Sequence, residues 1–370
     1  MKYDFCIVGA GPAGIILAER IANINHQKVL VIEKRNHVGG NLHDHYDADG
    51  ILIHTYGPHF FRTDKQSVWD YLARFTRWHS YEHKVKASVV GMEVPFPINL
   101  DTYNTLFNKK LSSQEFEEWL KGNKFTDHPK NAEEAIINQV GEYLYELFFK
   151  NYTIKQWGKH PSQLHADIVK RVPVRLDRES RYQTAKYQGL PQQGYSAMFA
   201  EMLNHKNIHL LLNVDYKEVV HSIDFEHLIY TGPLDYFYDF KFGYLEYRSL
   251  MFTRKFFNKA SYQSTAVINY PNNYDYTRIT EYKKMTGQEH AGTSIHEEYP
   301  VEYVRGYNEP YYPILDQNNL SLRTLYFEET QKEHNVTFIG RLAEYRYYAM
   351  DEIVEEALAV FSEKFKITAE

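Results

Sequence analysis

The stretch Tyr3-Asp-Phe-Cys-Ile-Val-Gly-Ala-Gly-Pro-Ala-Gly14 leaves this chain little choice of architecture. Six strand-forming residues run into Gly9, Gly11 and Gly14, spaced G-x-G-x-x-G where the strand must turn into a helix predicted over 15–24. Gly9 serves the tight turn, Gly11 the approach of backbone to a pyrophosphate at the helix N-terminus, and Gly14 the close packing of helix on strand. A second apolar strand, Val29–Ile32, ends at Glu33, where a carboxylate is expected to hydrogen-bond an adenosine ribose. Strand, glycines, helix, strand and acid within about thirty residues predict a parallel α/β unit for a dinucleotide.

The segment after Glu33 bears on which dinucleotide. Lys34-Arg-Asn-His-Val-Gly-Gly40-Asn41 places a glycine pair where a plain loop or a second close approach to the cofactor would serve. Directly after the fingerprint, it resembles the FAD-binding flavoproteins of the glutathione-reductase structural type. No second G-x-G-x-x-G is present, so a dedicated NAD(P)H domain is not expected. There is no H-E-x-x-H, no cysteine cluster and no G-x-S-x-G, so neither a metal site nor nucleophilic hydrolysis is expected. The one cysteine, Cys6, lies inside the first strand.

A net charge of −6 argues against a nucleic-acid partner. No apolar run reaches the roughly 20 residues of a membrane span. With the fingerprint starting at Tyr3, no secretory leader is expected and cytoplasmic residence is the default. The 32 tyrosines are unusual; most are expected to pack in the core, though tyrosine also offers stacking faces and hydroxyl donors to sugars and bases.

Further along, residues 51–63 read as a strand broken by Gly57-Pro58, and residues 67–75 as a helix with Ser67 as N-cap. Residues 84–97 read as an alternating strand ending at Pro95-Phe-Pro97, and helices are expected over 112–120 and 132–149. Arg171, Arg175, Arg178 and Arg181 share one loop, equally readable as a solvated face or an anion-binding loop. Strands are expected at 208–213, 227–230, 245–248, 266–278 and 336–339. The turn Thr231-Gly-Pro233 is placed to close under a cofactor, and a last helix runs to Phe361. Asp351 near that helix start either complements its N-terminal charge or helps orient flavin groups. A flavin, scattered arginines and aromatics point to a nucleotide diphosphate carrying a ring as ligand.

The motifs as a set resemble the bacterial UDP-galactopyranose mutase family nearly end to end. They are the fingerprint with Glu33-Lys-Arg-Asn-His and Gly39-Gly-Asn41, Tyr56-Gly-Pro-His59, Asn151-Tyr-Thr-x-Lys-x-Trp-Gly158 and Arg171-Val-Pro-Val-Arg175. In the second half come Gly189-x-Pro, Tyr230-Thr-Gly-Pro233, Leu245-Glu-Tyr-Arg-Ser-Leu250, Tyr276-Thr-Arg278, Glu309-Pro-Tyr-Tyr-Pro313 and Gly340-Arg-Leu-Ala-Glu-Tyr345. The resemblance implies an FAD-binding Rossmann-like domain (1–75, 190–243, 318–370), an inserted helical domain (98–171) and an antiparallel sheet domain (76–97, 172–189, 244–317). It also implies reduced FAD as a nucleophile: flavin N5 attacks the anomeric carbon, UDP leaves, the adduct opens through an iminium, and the ring recloses as furanose without net redox. A homodimer and a role in making furanose sugars for surface polysaccharides are implied as well.

Carried over by position, Arg171 and Arg278 grip the diphosphate with Tyr312 and Tyr347. Phe148, Tyr152, Trp157 and Tyr182 match the nucleobase and closure region, although Phe148 equally reads as core and Tyr152 as a helix cap. His59 lies beside the flavin and Arg248 near the active site. FAD would be held by Gly9, Gly11, Gly14, Glu33, Lys34, Gly40, Asn41, Gly340, Arg341, Met350 and Asp351. Two positions depart from the family pattern: Arg62 replaces a histidine, and Ala349 replaces an aspartate. Both open the choice of sugar beyond UDP-galactose, to UDP-N-acetylgalactosamine or a deoxysugar nucleotide such as dTDP-fucose. Two other functions stay open on the residues alone: an amine-oxidase-type flavin oxidoreductase and a non-catalytic nucleotide-binding module.

Overall fold

The computed structural model describes residues 2–166 and 173–367, so the expectation placed on Arg171 lies outside the described residues. β1 (Lys2–Val8), α1 (Pro12–Ile24) and β2 (Val29–Ile32) form in sequence. α1 starts earlier than the periodicity predicts because Pro12, with its preset φ, suits a first helical position. β1 and β2 belong to a five-stranded parallel sheet with Ile208–Leu211 at one edge, and Asp224–Tyr230 and Val336–Phe338 beyond β1. Alternate residues of β1 serve the two faces. Phe5 and Ile7 enter the core under α1 and the helix Met350–Val360, while Cys6 and Val8 pack with Leu30, Leu228 and Tyr230 on the other side. The chain leaves β1 towards β2 on one side and returns on the other, so a crevice opens at the strand ends beside Gly9 and Thr231.

A second, seven-stranded sheet is mostly antiparallel and runs in the order Tyr312–Pro313, Tyr247–Phe257, Thr293–Glu302, Arg278–Glu281, Val267–Asn269, Val85–Val89, Met92–Phe96. Against its far end pack the helices Leu100–Phe107, Ser113–Gly122 and Ala132–Val140, started by Asn99, Ser112 and Asn131, each accepting an amide of the first turn. No helix among the described residues is long and apolar enough to cross a membrane.

Several expectations need correction. The helix expected over 132–149 stops at Val140, because Gly141 takes φ +79°, and the chain restarts as Glu142–Tyr145, a π turn and then Asn151–Trp157. The run 84–97 is a hairpin turned at Gly91, φ +79°, rather than one strand. The stretch 266–278 likewise holds two strands joined by a loop over 270–277. Ser67 caps nothing; the helix Gln66–Leu72 has Lys65 at its N-cap and no side-chain cap.

Candidate active site

The crevice at the ends of the parallel strands is lined by Gly9, Gly11, Glu33, Lys34, Gly40, Asn41, His59, Thr231, Gly340, Arg341, Ala349 and Met350 among others. Gly9 takes φ +102°, and a Cβ there would sit 2.1 Å from Thr231 Oγ1. At Gly14 a Cβ would lie 2.1 Å from the carbonyl oxygen of Gly9, so this glycine does pack helix on strand. A Cβ on Gly11 would meet nothing nearer than Gly40 Cα, 4.0 Å away; it would fill the cradle instead of clashing with the wall. Gly11 is also the N-cap of α1 and has no side chain to take the first amides, which leaves them to a bound anion. Glu33 stands at the wall with one oxygen accepting from the amide of Ala10 (2.8 Å) and the other from that of Arg35 (2.9 Å), lone pairs remaining for a ribose. These features fit FAD.

One network here had no clear signal in the sequence. Arg35 stacks over Tyr56 at 4.6 Å, donates to Asn41 Oδ1 at 3.1 Å, and pairs with Glu309 at 2.5 Å; Lys34 reaches the same carboxylate at 3.2 Å. Burial favours the neutral acid at Glu309, but Arg35 and Lys34 outweigh it and hold the carboxyl below its ordinary range. The sequence offered Arg35 and Glu309 only as members of motifs.

His59 lines the crevice, its Nδ1 2.8 Å from the carbonyl of Gly57 and its amide donating to His54 Nδ1 at 3.0 Å. A carbonyl can only accept, so Nδ1 carries the hydrogen and Nε2 presents a lone pair. Burial, with His54, Arg341 and Arg278 nearby, pushes the imidazole down to about 3.

Beyond His59 lies a group of cationic and phenolic side chains. Arg278 opens the strand Arg278–Glu281, donates through Nη2 to Tyr152 Oη at 3.0 Å and pairs through Nε with Glu298 Oε1 at 3.1 Å. Burial opposes its charge, yet Glu298, Tyr152, Tyr312 and Tyr182 hold it protonated. Tyr312 and Tyr347 lie nearly parallel, ring centres 6.3 Å apart, with the Arg341 guanidinium 5.7 and 5.3 Å from them. Arg341 itself is fixed by the carbonyls of Tyr311 (3.0 Å) and Tyr348 (3.3 Å). Tyr182 feels the fields of Arg278, Tyr347 and Arg62, so these residues from distant segments share one space. Arg62 lies mid-strand in Phe61–Thr63, opposite Gln188.

Not every expected residue arrives there. Phe148 is 2 % exposed inside the helical core, its ring 6.2 Å from that of Phe96: of its two readings, the structure shows the core one. Arg248 supports the helix Asn151–Trp157 instead, donating to the carbonyls of Gln156 (3.1 Å) and Lys155 (3.3 Å). Trp157 closes that helix and Tyr152 sits in its first turn. Asp351 lies in the first turn of Met350–Val360, away from the crevice wall. Three of the four loop arginines are committed internally: Arg175 to the carbonyls of Glu179, Arg181 and Tyr182, Arg178 to Asp101, and Arg181 to Glu179 and Glu82. For these three the anion-binding reading gives way to a loop-holding one.

A family model described as UDP-galactopyranose mutase matches residues 147–347, the region of the arginine and tyrosine cluster, and one described as an NAD(P)-binding Rossmann-like domain matches 7–75. A probable UDP-galactopyranose mutase of Klebsiella pneumoniae is 40 % identical over 97 % of this chain and 94 % of the relative. The chain belongs to the UDP-galactopyranose mutase family. Within it, a dTDP-fucopyranose mutase of Escherichia coli is 36 % identical, covering 95 % of this chain and 96 % of that one. The fold is that of reduced UDP-galactopyranose mutase, with a TM-score of 0.75 over 98 % of this chain and 93 % of that one at 16 % identity. As a member of this family the chain is a mutase, an isomerase, and its cofactor is FAD. Ala349 occupies the N-cap of Met350–Val360, a position where an aspartate would take the first helical amides.

Proposed function

We propose that this chain interconverts the pyranose and furanose forms of a nucleotide-diphosphate galactose or a close analogue, with Arg278, Tyr152, Tyr312 and Tyr347 binding the diphosphate. The observation that carries the reading is Arg278, a half-buried guanidinium held at 3.0 Å from Tyr152 within reach of two further phenols beyond a dinucleotide crevice. Reduced FAD supplies the nucleophile for the anomeric carbon. The protein's share is to bind and orient: Arg278 and the phenols donate to phosphate oxygens whose charge grows as the glycosidic bond breaks. Arg171 is proposed as a second cation there, and Trp157 and Tyr182 as ring faces for the base. His59 offers only a lone pair and resists protonation, which suits accepting a hydrogen bond in the crevice. We further propose the three-domain division given above, and a homodimer.

A second reading concerns the sugar. Ala349 removes a carboxylate, and a relative at 36 % identity is named for dTDP-fucopyranose, so a deoxysugar or N-acetylated substrate competes with UDP-galactose. Chromatography of UDP-galactofuranose, UDP-N-acetylgalactofuranose and dTDP-fucofuranose after incubation with the reduced protein tests both. Conversion of at least one to its pyranose is expected and the relative rates rank the sugars; no conversion of any by FAD-loaded, reduced protein would sink the reading.

A further inference from the structure

We propose that Glu298 is a positioning residue for the diphosphate clamp: it fixes Arg278 and, through Arg278, the Tyr152 hydroxyl. The inference rests on the nucleotide-sugar reading of the site. Glu298 lies directly across the sheet from Arg278 in the antiparallel register, and is 3 % exposed. Its Oε1 is 3.1 Å from Arg278 Nε and 3.4 Å from Thr277 Oγ1, and its own carbonyl accepts from the Thr277 amide at 2.8 Å. Its other oxygen faces the turn that carries His59, where a Cβ on Gly57 would be 3.5 Å away. The carboxylate therefore sits behind the clamp, with the arginine on one side and the Gly57 turn on the other.

Coulomb attraction alone gives no reason for it to be there. A buried anion beside a site for diphosphate weakens the pull on the ligand. What it contributes is direction. An arginine side chain has several rotatable bonds, and a buried guanidinium without a counterion would be costly to keep in place. With Nε against Glu298 and Nη2 donating to Tyr152, the planar fork has one orientation, with Nη1 left for an anionic ligand. Because the Tyr152 oxygen accepts from Arg278, its own hydrogen is free to donate towards the ligand. The strap of Lys155, whose Nζ donates to the carbonyls of Tyr270 (2.7 Å) and Tyr276 (3.2 Å), holds the loop before Arg278 against the helix that carries Tyr152.

The test is UDP titration of FAD-loaded wild type, Glu298→Ala, Glu298→Gln, Arg278→Ala and the double variant Glu298→Ala/Arg278→Ala. Glu298→Ala is expected to weaken UDP binding about tenfold, because the guanidinium loses the ion pair that orients it. Glu298→Gln, of the same size and still an acceptor, should stay within about threefold of wild type. In the Arg278→Ala background the Glu298→Ala change should add nothing beyond about twofold, because its effect passes through the arginine. Equal losses in both backgrounds, or tighter binding by Glu298→Ala, would overturn the proposal. Should Glu298→Ala not retain FAD, Glu298→Gln carries the same comparison, its smaller loss expected to vanish without Arg278. Failure of wild type to bind UDP would instead overturn the functional reading, and this inference with it.

Discussion

At the scale of single residues the site divides into groups that carry charge and groups that carry none. Arg278 is charged and fixed, so Arg278→Ala is predicted to lower kcat/KM by about 100-fold or more while the flavin absorbance of the purified protein is retained; turnover near wild type would remove Arg278 from the clamp. Buried histidines behave oppositely. His54 and His83 are 1 % and 5 % exposed, and burial pushes each down to about 3 from an ordinary 6.5. Below pH 6.5 the unfolded chain takes up protons that the folded chain refuses. Their contribution to stability is therefore complete above pH 6.5 and shrinks as the pH falls towards 3, by up to about 1.4 kcal/mol per pH unit for each histidine. Urea midpoints measured from pH 7.5 down to 4.5 should fall from pH 6.5 onward, and a flat profile would contradict the burial of neutral imidazoles. Arg278, Tyr152 and Tyr312 were legible because they fall on sequence motifs. Glu298 was not, since nothing local marks a glutamate in a strand; only the register of two strands puts it opposite Arg278.

Among the elements, the helix Asn151–Trp157 and the helix Met350–Val360 decide how the site is held. The first ends at Gly158, φ +67°, under the Arg248 guanidinium. Arg248→Ala leaves two C-terminal carbonyls without a charged donor, which should cost about 1–3 kcal/mol and weaken UDP binding in parallel, with FAD content unchanged. Loss of activity with unchanged stability would mean that Arg248 meets the substrate directly. The second helix begins at Ala349, where Ala349→Asp supplies an N-cap worth about 1 kcal/mol and should raise Tm. The same change should move the ranking of sugar nucleotides, and a lower Tm would show that the cap geometry is wrong. Periodicity found the helices at this scale but not their breaks. Residues 132–149 keep an apolar face throughout, and only the backbone of Gly141 at φ +79° interrupts it, which a pattern of side chains cannot report. The opening unit was legible apart from the first turn of its helix, because strand, glycines and acid each have a steric reason to stand where they do.

For the whole molecule, the crevice of the parallel sheet and Arg278 of the mixed sheet meet near His59, which lines the crevice and feels the charges of both Arg341 and Arg278. The sequence carries a single dinucleotide fingerprint, and the family relatives are mutases, so FAD here serves a reaction that begins and ends at the same oxidation level. The central claim is therefore one of stoichiometry. The protein would be reduced once under anaerobic conditions, freed of reductant, and given a large excess of the preferred furanose nucleotide while the visible flavin band and the sugar product are followed together. The account predicts many turnovers per flavin with the band still bleached at the end, and no turnover by the oxidised protein. Substrate-dependent return of the oxidised band, with product limited to one equivalent per flavin, would contradict it and make this chain an oxidoreductase.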